Sequence, residues 1–141
     1  VQSIYAMRYS QDYTDAMEMV KQSEFHNWWD DKLIQKYIER PLGIMQYKII
    51  RSVIQEPLVF ATWGFPSEKQ VEHYVKNSEF PVDAYKGGGK NVWVIDFIAK
   101  KGYTRMGFQV LRKAFTRSGY QKAFWFRPEN KKLGWHTWKG S

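Results

Sequence analysis

The chain contains no cysteine. Disulfide bonds, thiolate nucleophiles and cysteine-ligated zinc are therefore excluded. Its three histidines, His26, His73 and His136, lack the His-Glu-x-x-His spacing of a zinc-binding helix, so no metal site is expected. Apolar runs of about 18 residues, the length of a membrane span, are absent. The amino end also lacks a signal-peptide pattern, and a cytoplasmic location is the default expectation.

Acidic residues are outnumbered by basic ones. The chain has 14 Asp and Glu against 22 Lys and Arg, a formal net charge of +8, and 18% aromatic residues that include 7 Trp. This combination favours an acidic partner and a site lined with flat apolar side chains. Nucleic acid, anionic lipid and a small acidic carrier protein all fit. A length of 141 residues is typical of one core, so residues 1–141 are expected to form a single domain.

The first half of the chain predicts one strand and two helices, followed by a hairpin. Residues 3–9 alternate loosely, as in an opening strand. Helical spacing follows over residues 12–22, with Asp12 as the expected cap, and a second helix begins at Asp30 and is expected to stop at Pro41. The hairpin is predicted from two β-branched and aromatic runs, residues 44–54 and 57–63.

The second half predicts two further helices and two strands. A capping-box pattern at Ser67–Gln70 starts one helix. Residues 77–90, with three consecutive glycines, are predicted to be a flexible loop. Residues 104–117 form the other helix, with Phe108, Leu111 and Phe115 facing inward, and a strand spans residues 122–126 before a tail without a clear period. The order β-α-α-β-β-α-β-α-β predicts an α/β fold in which helices flank a mixed sheet.

One carboxylate interrupts an apolar strand. Residues 92–99 read Val-Trp-Val-Ile-Asp-Phe-Ile-Ala, with Asp96 near the centre. Because an unpaired buried charge costs several kcal/mol, Asp96 should have a cationic or imidazole partner or lie at the mouth of a cleft. His26, which leads into the second helix, is the expected partner. A salt bridge to a neighbouring Lys or Arg stays open as the alternative.

Four segments together resemble a known family. They are His26-x-x-Trp29-x-x-x-Leu33, Gln46-Tyr47, residues 57–63 (Pro-Leu-Val-Phe-Ala-Thr-Trp) and the Asp96 strand. In this order they resemble the toxin-activating lysine acyltransferases of the hemolysin-activating type, over residues 25–128. The resemblance implies a GNAT-like (N-acetyltransferase-like) fold and transfer of a fatty acyl group from acyl carrier protein to lysines of a target protein. It also implies that His26 and Asp96 are catalytic.

These residue types suit that chemistry. A lysine ammonium must lose a proton before it attacks a thioester, and an imidazole, with an ordinary pKa near 6.5, accepts a proton at neutral pH. His26 is therefore predicted as the general base and Asp96 as the carboxylate that orients it. Without cysteine, direct transfer in a ternary complex is simpler than an enzyme thioester. A covalent acyl-histidine stays open.

Substrate-binding residues are predicted from aromatic and basic positions. Trp29, Trp63 and Trp93 are predicted to line an acyl tunnel, with core packing as the alternative. Lys101, Thr104 and Arg105, at the start of a helix, are predicted to bind the phosphate of a carrier protein's phosphopantetheine, a co-substrate rather than a resident cofactor. A solvated basic turn is the alternative there. Only Gly107 fits the glycine pattern of coenzyme A-dependent GNAT enzymes, which favours a carrier-protein donor over free acyl coenzyme A, or else no acyl donor at all.

Two rival functions stay open. A nucleic-acid-binding module is compatible with the charge of +8 and with the aromatic, basic residues 124–127 and 135–139. A catalytically idle relative would keep the fold as an interaction or inhibitory protein. The sequence also leaves a homodimer open.

Overall fold

The computed structural model of the chain describes residue 8, residues 10–127 and residues 132–137. The helices in this part of the chain are α1 (Gln11–Gln22), α2 (Asp31–Ile34), α3 (Arg40–Gly43), α4 (Glu68–Asn77) and α5 (Thr104–Arg117). The strands are β1 (Tyr47–Arg51), β2 (Pro57–Gly64), β3 (Val92–Ala99), β4 (Lys122–Arg127) and β5 (Lys132–Thr137). No helix within these described residues combines the length and apolar character that crossing a membrane requires.

The five strands form one mixed sheet in the order β1-β2-β3-β4-β5. β1 pairs antiparallel with β2, with Tyr47 opposite Thr62, and β4 pairs antiparallel with β5. β3 and β4 are parallel, with Val92 opposite Ala123, and α5 supplies the crossover connection that a parallel pair needs. The predicted α/β class with a mixed sheet and flanking helices is confirmed, and the arrangement is consistent with a GNAT-like fold.

The chain divides into two compact units. Unit 1 comprises Val1–Thr62 and Asp96–Thr104, and unit 2 comprises Trp63–Ile95 and Arg105–Ser141. In unit 1, α1 buries one stripe of apolar side chains at the spacing of an amphipathic helix. This stripe packs with apolar residues from the following helical segment and the strands; the buried cluster is Ala16, Met19, Val20, Ile38, Leu42, Phe60 and Ile98.

Unit 2 is built largely around aromatic rings. The ring of Tyr74 lies 5.1 Å from that of Phe80 and 5.0 Å from that of Phe126, both edge-on. Its hydroxyl donates to the backbone carbonyl of Phe126 over 3.2 Å, which satisfies the one polar atom that this buried ring carries. Edge-to-face ring contacts therefore account for much of the packing in this unit.

The prediction of a flexible loop at residues 77–90 is wrong. This segment contains a 3₁₀-helix, Val82–Lys86, and buries Phe80 and Tyr85 almost completely. The Gly89 N–H donates to the Phe65 carbonyl over 3.0 Å, and a Cβ at Gly89 would lie 1.8 Å from the Pro66 carbonyl oxygen. Gly89 therefore permits a close approach of two backbones, which a side chain would prevent.

Two helix boundaries also differ from the sequence-based expectation. α1 begins at Gln11, and its cap is Ser10, whose hydroxyl accepts the Tyr13 N–H over 3.1 Å; Asp12 is not the cap. Helical backbone does not stop at Pro41, because a π-helical turn (Gln35–Glu39) leads into α3, where proline occupies the first turn and needs no N–H partner.

The predictions for the two ends of the chain have different outcomes. The carboxyl-terminal tail contributes β5 to the sheet, which its lack of a clear sequence period did not predict. The expected opening strand at residues 3–9 lies outside the described residues, apart from Arg8.

Candidate active site

The turn after α1 holds His26. Ser23 follows the helix as its C-cap, and the Ser23 carbonyl accepts N–H groups from His26 and Asn27 over 3.0 and 2.8 Å. The His26 carbonyl in turn accepts the Trp29 N–H over 3.0 Å. These bonds wind the chain tightly between α1 and α2. They fix the backbone on both sides of His26.

The structure brings His26 and Asp96 together within unit 1. His26 Nε2 lies 2.8 Å from Asp96 Oδ1, although 70 residues separate the two positions. Their side chains are only 11% and 10% exposed, so solvent screens the contact weakly. A carboxylate only accepts hydrogen bonds, and the imidazole proton therefore lies on Nε2, facing Asp96. This hydrogen bond selects one tautomer of the neutral ring.

The other ring nitrogen faces a hydroxyl. Ser23 Oγ lies 2.6 Å from His26 Nδ1. With the proton on Nε2, Nδ1 carries a lone pair and accepts from the Ser23 hydroxyl. Ser23, His26 and Asp96 thus form a hydrogen-bonded row with the connectivity of a Ser-His-Asp triad. Sequence reasoning missed Ser23; the available signal was its position three residues before a candidate base, at a helix end.

An aromatic ring covers part of the imidazole. The Trp29 and His26 rings are 4.6 Å apart between centroids and tilted by 59°, and Tyr37 lies 5.7 Å beyond Trp29. Two further aromatic side chains on the same turn, Phe25 and Trp28, are 64% and 68% exposed. The turn therefore presents apolar surface to solvent next to the buried His26.

The backbone of Asp96 has a side-chain partner. Its N–H donates to Thr62 Oγ1 over 3.2 Å, and Thr62 is completely buried on β2. Sequence reasoning missed Thr62 because the residue lies in an apolar run, where a threonine is unremarkable for a strand.

Two of the predicted tryptophans have ring neighbours in unit 2. Trp63 meets Phe115 edge-on at 5.2 Å, and Trp93, which is 4% exposed, stacks on Phe124 at 5.0 Å. Both tryptophans therefore have aromatic packing partners, and Trp63 is half-buried. The predicted phosphate-binding residues Lys101, Thr104 and Arg105 are all exposed.

The aromatic, basic stretch near the carboxyl end is only partly described. Phe126 is 3% exposed, and the Lys122 ammonium lies 4.8 Å from the centre of the Phe124 ring, which itself stacks on Trp93. The rings of Phe124 and Phe126 are therefore not free to stack on a nucleic-acid base. The side chains at 135–139 lie outside the described residues. Within the part of the chain that the structure describes, no three His, Cys, Asp or Glu side chains form a metal-binding group.

A second charged cluster in unit 1 joins α1 to β1. Arg51 bonds both Asp12, over 2.7 Å, and Asp15, and the Tyr47 hydroxyl donates to Asp12. Burial, together with the hydrogen bond to Asp12, raises the pKa of Tyr47 to about 12. Burial opposes ionisation of Asp12, but hydrogen bonds from Tyr47 and Arg51 outweigh it and hold the Asp12 pKa below its ordinary value.

The mixed α/β fold and the row of hydroxyl, imidazole and carboxylate are compatible with an enzyme that activates a nucleophile by removing its proton. Comparison with protein families identifies the class. The model of the RTX toxin acyltransferase family matches residues 13–139, which is most of the chain. The protein therefore belongs to the RTX toxin acyltransferase family, which confirms the resemblance found in its sequence and implies a toxin acyltransferase. A comparison with curated proteins finds no match.

Proposed function

We propose that the protein transfers a fatty acyl group from acyl carrier protein to lysine amines of a protein target, with His26 as the general base. The hydrogen bond between His26 Nε2 and Asp96 Oδ1, 2.8 Å long and largely buried, carries this proposal. It unites the two side chains that proton abstraction needs and leaves Nδ1 as the basic nitrogen. Family membership supports an acyltransferase that acts on a protein.

In the proposed reaction, the proton leaves the acceptor through Ser23. The lysine ammonium first loses one proton to solvent, and the neutral amine then attacks the thioester carbonyl carbon and forms the C–N bond. The amine proton passes to the Ser23 oxygen while the Ser23 hydroxyl proton passes to His26 Nδ1, so Ser23 is unchanged. The C–S bond then breaks, and the imidazolium returns its proton to the departing thiolate. Asp96 stabilises the imidazolium while it exists.

The donor is proposed to be a carrier-bound thioester. A net charge of +8 suits an acidic carrier protein, and the exposed Lys101, Thr104 and Arg105 are available to its phosphopantetheine phosphate. Trp29, in contact with His26, is proposed to meet the acyl chain near the thioester. The assignment of Trp63 and Trp93 to the acyl chain is a proposal from the sequence alone.

The test is transfer between defined partners. Acylated carrier protein and a lysine-bearing protein target are incubated with the enzyme, and the masses of all three proteins are followed. We expect His26→Ala and Asp96→Asn to slow transfer by about 10²- to 10⁴-fold, the usual contribution of general-base catalysis. His73→Ala, at an exposed position on α4, is the matched control and should keep full activity.

Three outcomes separate the alternatives. Full activity of His26→Ala would contradict the proposal. An enzyme that captures acylated carrier protein without ever releasing the acyl group to a target would be the idle relative. An acyl adduct on the enzyme, seen without acceptor and lost in Ser23→Ala, would replace direct transfer by an acyl-serine intermediate.

A further inference from the structure

Thr62 is a buried polar residue within an apolar stretch of β2. Its neighbours Val59, Phe60 and Ala61 are buried with it, and Thr62 itself is 0% exposed. A hydroxyl in such surroundings is unfavourable unless it is hydrogen-bonded, whereas valine would fill nearly the same space without a polar atom. The contact that satisfies the hydroxyl oxygen is the one from the Asp96 N–H, 3.2 Å away.

We propose that Thr62 is a positioning residue for catalysis, acting through Asp96; this inference rests on the proposed function. The Thr62 backbone is held in register with β1, where Tyr47 lies opposite it, and Tyr47 is tied to α1 through Asp12. Thr62 Oγ1 thus anchors the Asp96 N–H to a fixed point. The Asp96 carboxylate then reaches His26 Nε2 over 2.8 Å.

The short distance between Asp96 and His26 explains why the position of Asp96 must be fixed by Thr62. Catalytic hydrogen bonds act over about 2.6–3.2 Å, and a misplacement of about 1 Å can reduce the rate by about 100-fold. Asp96 holds the imidazole tautomer only while its carboxylate stays in reach of Nε2. Because the anchor is a side-chain oxygen, one substitution removes it and leaves every backbone group in place.

The variant series isolates the hydroxyl. Thr62→Val keeps the shape and removes the acceptor, and we expect kcat for acyl transfer to fall by about 10-fold, with KM for carrier and target unchanged. Thr62→Ser keeps the acceptor and should restore kcat to within about 2-fold. Amide exchange at Asp96, measured by NMR, should be faster in Thr62→Val than in Thr62→Ser.

A double-variant cycle separates positioning from a merely structural role. In an Asp96→Asn background, Thr62→Val should cause no further loss, because the residue it positions has already been disabled. An equal loss in both backgrounds would overturn the proposal, and so would wild-type kcat in Thr62→Val. If Thr62→Val does not fold, Thr62→Cys, with its weaker sulfur acceptor, takes its place under the same criteria. Wild-type activity of Asp96→Asn alone would instead reject the proposed function, and the positioning role with it.

Discussion

Two clusters in unit 1 each pair carboxylates with a basic side chain, but they differ in what they can do chemically. In one, Asp96 bonds the imidazole of His26; in the other, Asp12 and Asp15 bond the guanidinium of Arg51. An imidazole gains and loses a proton near neutral pH, whereas a guanidinium stays charged throughout the accessible range. The first cluster can therefore take part in proton transfer. The second can only hold α1 and β1 together.

Burial sharpens this contrast. The side chains of His26 and Asp96 are 11% and 10% exposed, and those of Arg51 and Asp15 are 19% and 8% exposed. The His26–Asp96 and Arg51–Asp15 pairs are therefore shielded from solvent to a similar degree, whereas Asp12 is 39% exposed, and the chemical nature of the basic partner distinguishes the two pairs. Hydrogen bonding to Asp15 raises the pKa of Arg51 still further, which keeps the guanidinium charged and out of acid-base chemistry. A buried carboxylate pair alone is thus a poor guide to catalysis.

The largest expected effect concerns the first cluster. We expect the double variant His26→Ala/Asp96→Asn to lose about 10²- to 10⁴-fold in kcat/KM, no more than His26→Ala alone, because Asp96 acts only through the imidazole. The measurement is steady-state acyl transfer for both single variants and the double variant. Losses that multiply in the double variant would show that Asp96 acts independently of His26. The imidazole would then not be the reason why the first cluster differs from the second.

The next effect concerns stability. Arg51→Met should lower the free energy of unfolding by about 3 kcal/mol, because it leaves the buried charge of Asp15 without its partner. Chemical denaturation measures the change. Lys100→Met is the matched control: the Lys100–Glu56 pair is also short, at 2.8 Å, but its side chains are 33% and 50% exposed, so the loss should stay below about 1 kcal/mol. Equal losses in the two variants would contradict the structural role assigned to the Arg51 cluster.

Local chemistry made part of the fold predictable. The capping box at the start of α4 is confirmed, since Ser67 Oγ accepts the Gln70 N–H and the Gln70 side chain accepts the Ser67 N–H. After α5, Gly119 has a φ of 93°, the left-handed conformation in which many helices end. These signals depend on residues within one turn of each other, and no tertiary contact overrides them.

Tertiary contacts decided the rest. Phe108 was expected to face inward but is 41% exposed. The buried residues of α5 are Gly107, Leu111 and Phe115, so Phe108 lies outside the buried face of the helix. Asp12 resembles a helix cap in sequence, yet its carboxylate bonds Arg51, 39 positions away. In the candidate site, the pairing of His26 with Asp96 was expected, since a carboxylate in an apolar strand needs a partner. Ser23 and Thr62 were not, because hydroxyl residues fit turns and strands equally well without any function.

The smallest expected effect concerns the second cluster and tests whether the Tyr47 hydroxyl stays protonated at high pH. The folded-state pKa of Tyr47 is about 12 against an ordinary 10.0, so the unfolded chain releases this proton first as the pH rises. The stabilisation that Tyr47 provides should be fully present below pH 10 and be lost toward pH 12. Tyr47→Phe should therefore cost about 1 kcal/mol near neutral pH, the value of one hydrogen bond, and less in strong base.

The measurement is the free energy of unfolding of Tyr47→Phe and wild type over the alkaline range. Tyr103→Phe, at a position 40% exposed, is the control for general alkaline destabilisation. A difference between Tyr47→Phe and wild type that stays constant with pH would show that the hydroxyl is not protected by Asp12. In that case the Tyr47 hydroxyl would lose its proton as easily in the folded protein as in the unfolded chain. The always-charged guanidinium of Arg51 would then not be enough to explain why this cluster differs from the His26 cluster.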